Sequence, residues 1–325
     1  MKTRRLGDLD IQVSEIGFGA WGIGGNSQGS VAYGPVDDAE SIRALHVAFD
    51  RGITFYDTAD FYGFGHSESI LGKALGNVRD SIVIASKVGI VDLAGKQDFS
   101  PDYMRRSLEG SLIRLRTNYI DIYQLHSPPL ALFIEQRDDI IATLQSFKDH
   151  GMIRAFGLSL RKTEEAITSI VDLGIKCIQV NFNMMDQRPV DSGILQTCTR
   201  DGIGFIARTP LSFGFLSKLA NGATEKFNTY DHRSKWSVEQ VKKWKQASDL
   251  FMPILNKYKP QTMAQVALRY CLSYSAVSTV IPGMLTTREV EENSEASNYG
   301  PLDTADLDKI AEIYKHNEFF LGKRA

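Results

Sequence analysis

The chain has 325 residues, 43% hydrophobic and 23% charged, long enough to bury a large core without disulfide staples. Its 37 basic residues nearly balance 39 acidic ones, and the net charge of −2 argues against a nucleic-acid or membrane-surface partner. The three cysteines, Cys177, Cys198 and Cys271, are too scattered for a disulfide framework or a zinc site, which points to a reducing, cytoplasmic compartment.

The chain opens on polar residues with no apolar run behind them, so no signal peptide is expected. No later stretch approaches the roughly 18 apolar residues of a membrane span. Residues 3–6, a Gly7-Asp8 turn and residues 11–13 predict a β-hairpin. Short runs rich in β-branched and aromatic residues then alternate with segments of helical period. The runs fall at 15–18, 54–56, 82–85, 119–125, 153–158, 177–180, 204–207 and 277–281. Among the helical segments, Asp37 caps one in which Ile42, Leu45 and Phe49 share a face and Gly52 follows the end. Ser100-Pro101 starts another, with Met104, Leu108, Leu112 and Leu115 at helical spacing. Further helices are expected over 67–75, 137–149, 162–172, 190–200, 261–274 and 287–297. Several runs are apolar throughout, as strands are when both faces of a parallel sheet are buried. Eight strand–helix units across residues 1–325 predict a single α/β domain, a closed (β/α)₈ TIM barrel behind the N-terminal hairpin. Two segments stand outside the repeat. Residues 221–260 read as a long loop and an extra helix; residues 301–325 read as a polar tail with a helix over 304–314, capped by Asp303.

Gly17-Phe18-Gly19-Ala20-Trp21-Gly22 has the spacing of a dinucleotide-binding glycine fingerprint, with Asp37 and Asp38 downstream. That fingerprint needs its last glycine to open a helix that receives the pyrophosphate. Here Ile23-Gly24-Gly25-Asn26-Ser27-Gln28-Gly29 follows, a stretch that cannot start one, so a Gly-rich loop at the mouth of the barrel is the better reading.

The ionisable residues fall where a barrel builds its active site. Asp57 follows strand two and Tyr62 lies in the next loop; Lys87 closes strand three and His126 closes strand four. Singly, each has a structural explanation: a loop aromatic, an ion pair, a satisfied core histidine. Together at neighbouring strand ends they suit proton transfer. Tyrosine is a poor acid at neutral pH, with a pKa of about 10, but a lysine ammonium stabilises its phenolate and a carboxylate holds that lysine in place. A histidine opposite can orient the oxygen that is protonated. There is no metal-ligand spacing, and no serine or cysteine nucleophile has an obvious base.

The sequence resembles the aldo-keto reductase family along nearly its whole length. The resemblance lies in Val13-Ser14-Glu15-Ile16-Gly17-Phe18-Gly19, in Phe55-Tyr56-Asp57-Thr58-Ala59-Asp60-Phe61-Tyr62-Gly63, and in Ser86-Lys87. It continues in Asp121-Ile122-Tyr123-Gln124-Leu125-His126, Gly157-Leu158-Ser159, Pro210-Leu211 and Ile281-Pro282-Gly283. It implies NAD(P)-dependent interconversion of an aldehyde, ketone or sugar lactol and its alcohol. Tyr62 would be the acid, Lys87 and Asp57 its tuning pair, and His126 would position a small carbonyl substrate. It also implies that Ser159 and Gln179 hold the nicotinamide carboxamide, that Pro210, Leu211 and Gly214 lie under the pyrophosphate, and that Gly283, Glu292 and Asn293 line the adenosine end. The family includes potassium-channel β-subunits, so a cofactor-binding regulatory subunit is the alternative. Oligomeric state is not specified.

Three positions depart from the family pattern. Leu160 replaces an asparagine, so one carboxamide hydrogen bond is missing or supplied by another group. Arg208 replaces an aromatic that stacks on the nicotinamide; its guanidinium can stack, bind pyrophosphate or pair with a carboxylate. Leu285 and Glu289 stand where basic or small polar residues face the 2′-phosphate. Glu289 either repels that phosphate or turns back as the last member of a Thr286-Thr287-Arg288-Glu289 capping box. Arg233, Arg288 and Lys218 remain available to a phosphate. Family habit favours NADP(H) and these substitutions admit NAD(H). Trp21, Tyr33, Phe64 and part of residues 221–236 are expected to wall the substrate pocket.

Overall fold

A computed structural model describes residues 1–26, 32–171, 173–217 and 227–321 of the protein. Strands β1 (Thr3–Arg5) and β2 (Gln12–Ser14) form an antiparallel hairpin. Strands β3 (Phe18–Gly19), β4 (Phe55–Asp57), β5 (Val83–Val88), β6 (Ile120–His126), β7 (Ile153–Ser159), β8 (Cys177–Asn181), β9 (Gly204–Arg208) and β10 (Val277–Ile281) lie side by side, in chain order, in one parallel sheet. Bridges from Ile16 to Val280 and from Gly19 to Gly283 join the first strand to the last and close the barrel. The approach there is close: a Cβ on Gly19 would stand 2.8 Å from the Pro282 carbonyl oxygen. This is the α/β TIM barrel expected from the alternating pattern, with the N-terminal hairpin attached.

The hairpin differs in its connection. Arg5 pairs with Gln12, so residues 6–11 form the loop in place of a two-residue Gly7-Asp8 turn. Leu6 and Ile11 leave the ladder and bury, with Val13, against Phe55, Val83, Ile122 and Ile206 of the barrel interior. That burial plugs the N-terminal end of the barrel and outweighs the shorter turn. Strand β5 extends past the apolar run at 82–85 through Lys87, the residue expected to close it, to Val88, and Ser86 and Lys87 both find buried polar partners.

Asp37 and Ser100 cap the helices Asp38–Asp50 and Pro101–Leu115 as expected. The helix expected over 190–200 is split by Gly193, whose φ is +77°, into Arg188–Asp191 and Ile194–Asp201. Helix Thr287–Ser294 gives way to a 3₁₀ turn at Glu295–Asn298. The helix expected over 162–172 starts later, at Glu165. Asp303 precedes helix Thr304–His316 but does not cap it with its side chain, because Lys257 Nζ takes that carboxylate at 2.8 Å. The extra segment forms helix Val238–Lys257, capped by Ser237. Among the described residues after β3 the last glycine of the fingerprint opens a 3₁₀ turn, Gly22–Gly24, and no α-helix starts there. No described helix is long and apolar enough to cross a membrane.

Strand alternation sorts the interior into layers. Phe55, Val83, Ala85, Ile122, Cys177 and Ile206 make an apolar floor with the hairpin. Two residues further along the same strands stand Asp57, Lys87, Gln124, Gln179 and Arg208. The period of two therefore delivers a ring of polar side chains to the C-terminal mouth.

Candidate active site

Lys87 is the centre of the ring and fully buried. Its Nζ donates to Asp57 Oδ1 at 2.6 Å, to the Thr58 carbonyl at 2.8 Å and to Tyr62 Oη at 3.2 Å. All three ammonium protons thus have acceptors, which is what makes a charge tolerable at this depth. Asp57 Oδ2 in turn accepts from Gln179 Nε2 at 2.6 Å and Gln124 Nε2 at 3.4 Å. The Tyr62 ring meets His126 edge-on, with centroids 5.8 Å apart. The four residues singled out at the strand ends therefore share one place.

Their electrostatics differ in one respect from expectation. Burial pushes the Tyr62 phenol above its ordinary pKa; the Lys87 ammonium pulls it back without reversing the shift, and Asp57 adds to the rise. Burial also works against the Lys87 ammonium, but Asp57 and Tyr62 outweigh it and its pKa goes up. Burial, then Lys87, Arg208 and Arg161, hold His126 well below the ordinary histidine value, so its imidazole is neutral. Its Nδ1 is buried with no partner among the described residues.

A cavity of about 630 Å³ opens above this cluster and extends from Trp21 and Tyr62 to Leu285 and Glu289. Trp21 packs on Tyr33 and His232, with centroids 5.3 and 4.5 Å away, and forms one wall. Arg208, Pro210, Leu211 and Gly214 form the wall after β9, and Gly283 borders the far end. Among the described residues Arg208 pairs with no carboxylate. Its Nε donates to Asn181 Oδ1 at 2.8 Å, and its two terminal nitrogens to Ser159 Oγ at 3.2 Å and the Leu160 carbonyl at 2.7 Å. Ser159 and Gln179 bond each other at 3.1 Å, so Gln179 spans from Asp57 to Ser159. Arg233 lines the cavity while bound to Asp231 at 2.6 Å and lying 5.0 Å from the Tyr33 ring centre.

At the far end, Glu289 completes the capping box and borders the cavity as well. Its Oε2 accepts from Leu285 N at 2.7 Å and Thr286 N at 3.2 Å. Glu40, which sequence reading missed, accepts from Thr287 N at 2.9 Å; that bond, with Arg43, holds its carboxyl below the usual range. Two carboxylates thus occupy the leading donors of a helix start that would otherwise suit an anion. Glu292 and Asn293 lie further along this helix and do not line the cavity; Asn293 is buried. Phe64, expected in the substrate pocket, lines instead a side cavity of about 320 Å³ beside Asp60. Its φ of +51° turns it away from the main opening. Lys218 and residues 221–226 of the insertion lie outside the described residues.

Sequence reading also passed over Gln124, Asn181 and Arg161. Gln124 carried a usable signal, two residues before His126 on the same strand and so on the same face. Among the described residues no group of three or more His, Cys, Asp or Glu side chains is placed to hold a metal.

A TIM barrel with a Tyr–Lys–Asp–His cluster beneath a long cleft at its C-terminal mouth has the construction of a nicotinamide-dependent oxidoreductase. The model of the Aldo/keto reductase family matches residues 15–315, and the chain belongs to that family. It is 29% identical to the uncharacterised oxidoreductase YqkF of Bacillus subtilis over 97% of this chain and 99% of that one. It is also 29% identical to the NADH-specific methylglyoxal reductase of Escherichia coli, over 96% of this chain and 98% of that one. The structure of the glycerol dehydrogenase AKR11B4 from Gluconobacter oxydans superposes with a TM-score of 0.79 at 27% identity, covering 99% of this chain and 98% of that one. The protein is an NAD(P)-dependent oxidoreductase.

Proposed function

We propose that the protein interconverts an aldehyde or ketone and its alcohol, with Tyr62 as proton donor and acceptor and NADH preferred to NADPH. The observation that carries the first part is the bonding of one buried Lys87 ammonium to both Asp57 and the Tyr62 hydroxyl. A nicotinamide held along the cleft would supply or receive the hydride. The donor set fits such a group: Gln179, Asn181 and Arg208 at the catalytic end, and the backbone of the loop at Pro210, Leu211 and Gly214 beyond it. In the reductive direction the carbonyl oxygen sits between Tyr62 Oη and the neutral His126 imidazole. His126 orients the oxygen, and Tyr62 donates its proton as negative charge develops there. Lys87 stabilises the phenolate left behind, and Asp57 keeps Lys87 charged and aimed. Trp21 excludes water from the face it covers.

Oxidation of NADH and NADPH in the presence of a panel of aldehydes tests this reading. Repeated turnover supports it; nucleotide binding without cycling would favour the regulatory-subunit alternative. The pH profile tests the protonation states. With His126 titrating well below about 6.5 and Tyr62 above about 10, kcat/KM for reduction is expected to stay flat between about pH 7 and 9. An apparent pKa inside that window would contradict the neutral histidine.

The cofactor preference rests on Glu40 and Glu289. A bare 2′-hydroxyl can donate to a carboxylate, whereas a 2′-phosphate is repelled by it. Glu289→Gln keeps an acceptor for the helix start and removes the charge. Fluorescence titration is expected to show about five- to tenfold tighter NADPH binding and NADH within about twofold. Equal behaviour of the two nucleotides would leave Glu289 as a helix cap alone.

A further inference from the structure

The catalytic end of the cleft carries more positive charge than its own residues neutralise. Lys87 is matched by Asp57 and Arg233 by Asp231. Arg208 bonds only neutral oxygens, and no ion pair with Arg161 or Arg208 is present among the described residues. Arg161 lines the cavity and acts electrostatically on both His126 and Arg208. Leu160 is buried in the core, so the chain turns Arg161 outward to the opening, while Lys162 is drawn to Glu165 at 3.7 Å.

After the neighbouring strand, Ser127 follows His126 with a φ of +57°, a conformation uncommon for serine. It is held here: Gln97 Nε2 donates to the carbonyls of His126 and Ser127 at 2.9 and 3.1 Å, and Ser127 N donates to the Ser159 carbonyl at 2.7 Å. Ser127 lines the same cavity as Arg161. Arg161, Ser127 and the apolar Phe61 and Ile90 line one cavity, and a guanidinium and a seryl hydroxyl are donors suited to a planar anion.

Resting on the carbonyl-reductase reading above, we propose that Arg161, with Ser127, binds a carboxylate on the substrate, and that the preferred substrates are oxo-acids or aldehydes carrying a carboxylate. Arg161 is a specificity residue in this account and takes no part in proton or hydride transfer.

Two matched pairs test it, succinic semialdehyde against butanal and 4-carboxybenzaldehyde against benzaldehyde, with the wild type, Arg161→Met and Arg161→Lys. The wild type is expected to favour the anionic member of at least one pair by about tenfold in kcat/KM. Arg161→Met is expected to lose about that factor on the anionic member, through KM, with the neutral member unchanged; Arg161→Lys is expected to recover part of it. Affinity for NADH and NADPH, titrated directly, should stay within about twofold in all three proteins. Preference for the neutral member of both pairs, or equal losses on both members in Arg161→Met, would overturn the assignment. A fall in nucleotide affinity would assign Arg161 to the cofactor and overturn it too. Turnover of the neutral aldehydes reports separately on the reductase reading, which fails only if no aldehyde of the set is reduced.

Discussion

Tyr62→Phe is expected to lower turnover by about 10³- to 10⁴-fold while leaving nucleotide affinity within about twofold. The substitution removes one oxygen and keeps the ring. The edge contact with His126 at 5.8 Å, the packing against Trp21 at 6.5 Å and the Lys87 ammonium 4.7 Å from the ring centre are all interactions of the ring. Lys87 retains Asp57 and the Thr58 carbonyl, so the buried charge keeps two of its acceptors. The lost hydrogen bond costs about 1 kcal/mol of stability, too little to unfold the barrel. Turnover therefore reports the proton and little else. Steady-state kinetics in both directions, with a parallel fluorescence titration, checks the expectation. A variant with more than a tenth of wild-type turnover would remove Tyr62 as the proton donor.

Much of this site could be read from the sequence because strand alternation is a local property. Once residues 54–56 and 82–85 were recognised as strands, Asp57 and Lys87 had to emerge at the same end of the barrel, and β6 carried His126 there by the same rule. What escaped the reading depends on distant partners or on unusual backbone. Glu40 reaches Thr287 across 247 positions of sequence, a pairing that no periodicity announces. Phe64 lies two residues from Tyr62, yet its positive φ sends it to a different cavity. Gly7-Asp8 had the composition of a tight turn, but burial of Leu6 and Ile11 under the barrel decided the loop. Asp303 stood at a helix start with the right chemistry and was taken by Lys257. The capping box at Thr286 and Glu289 was legible because all its members lie within one turn.

Lys87→Met is expected to damage both activity and fold, with turnover reduced about 10²- to 10³-fold and stability by about 3–5 kcal/mol. The two losses have separate origins. The kinetic one arises because Lys87 is the group that opposes the effect of burial on Tyr62; without it the phenol's pKa rises further. In the proposed mechanism alcohol oxidation needs the phenolate, so its pH profile should move to higher pH, whereas carbonyl reduction should lose rate mainly because the phenolate left behind is no longer stabilised. The loss of stability arises because Asp57, 3% exposed, keeps a carboxylate with no cation beside it. Adding Asp57→Asn separates the two: the double variant has no buried charge to strand, and Gln179 and Gln124 still find an amide oxygen to donate to. Urea unfolding should therefore show the double variant more stable than Lys87→Met alone, with turnover as low in both. Recovery of turnover along with stability would mean that Lys87 serves the fold and that the proton chemistry at Tyr62 proceeds without it.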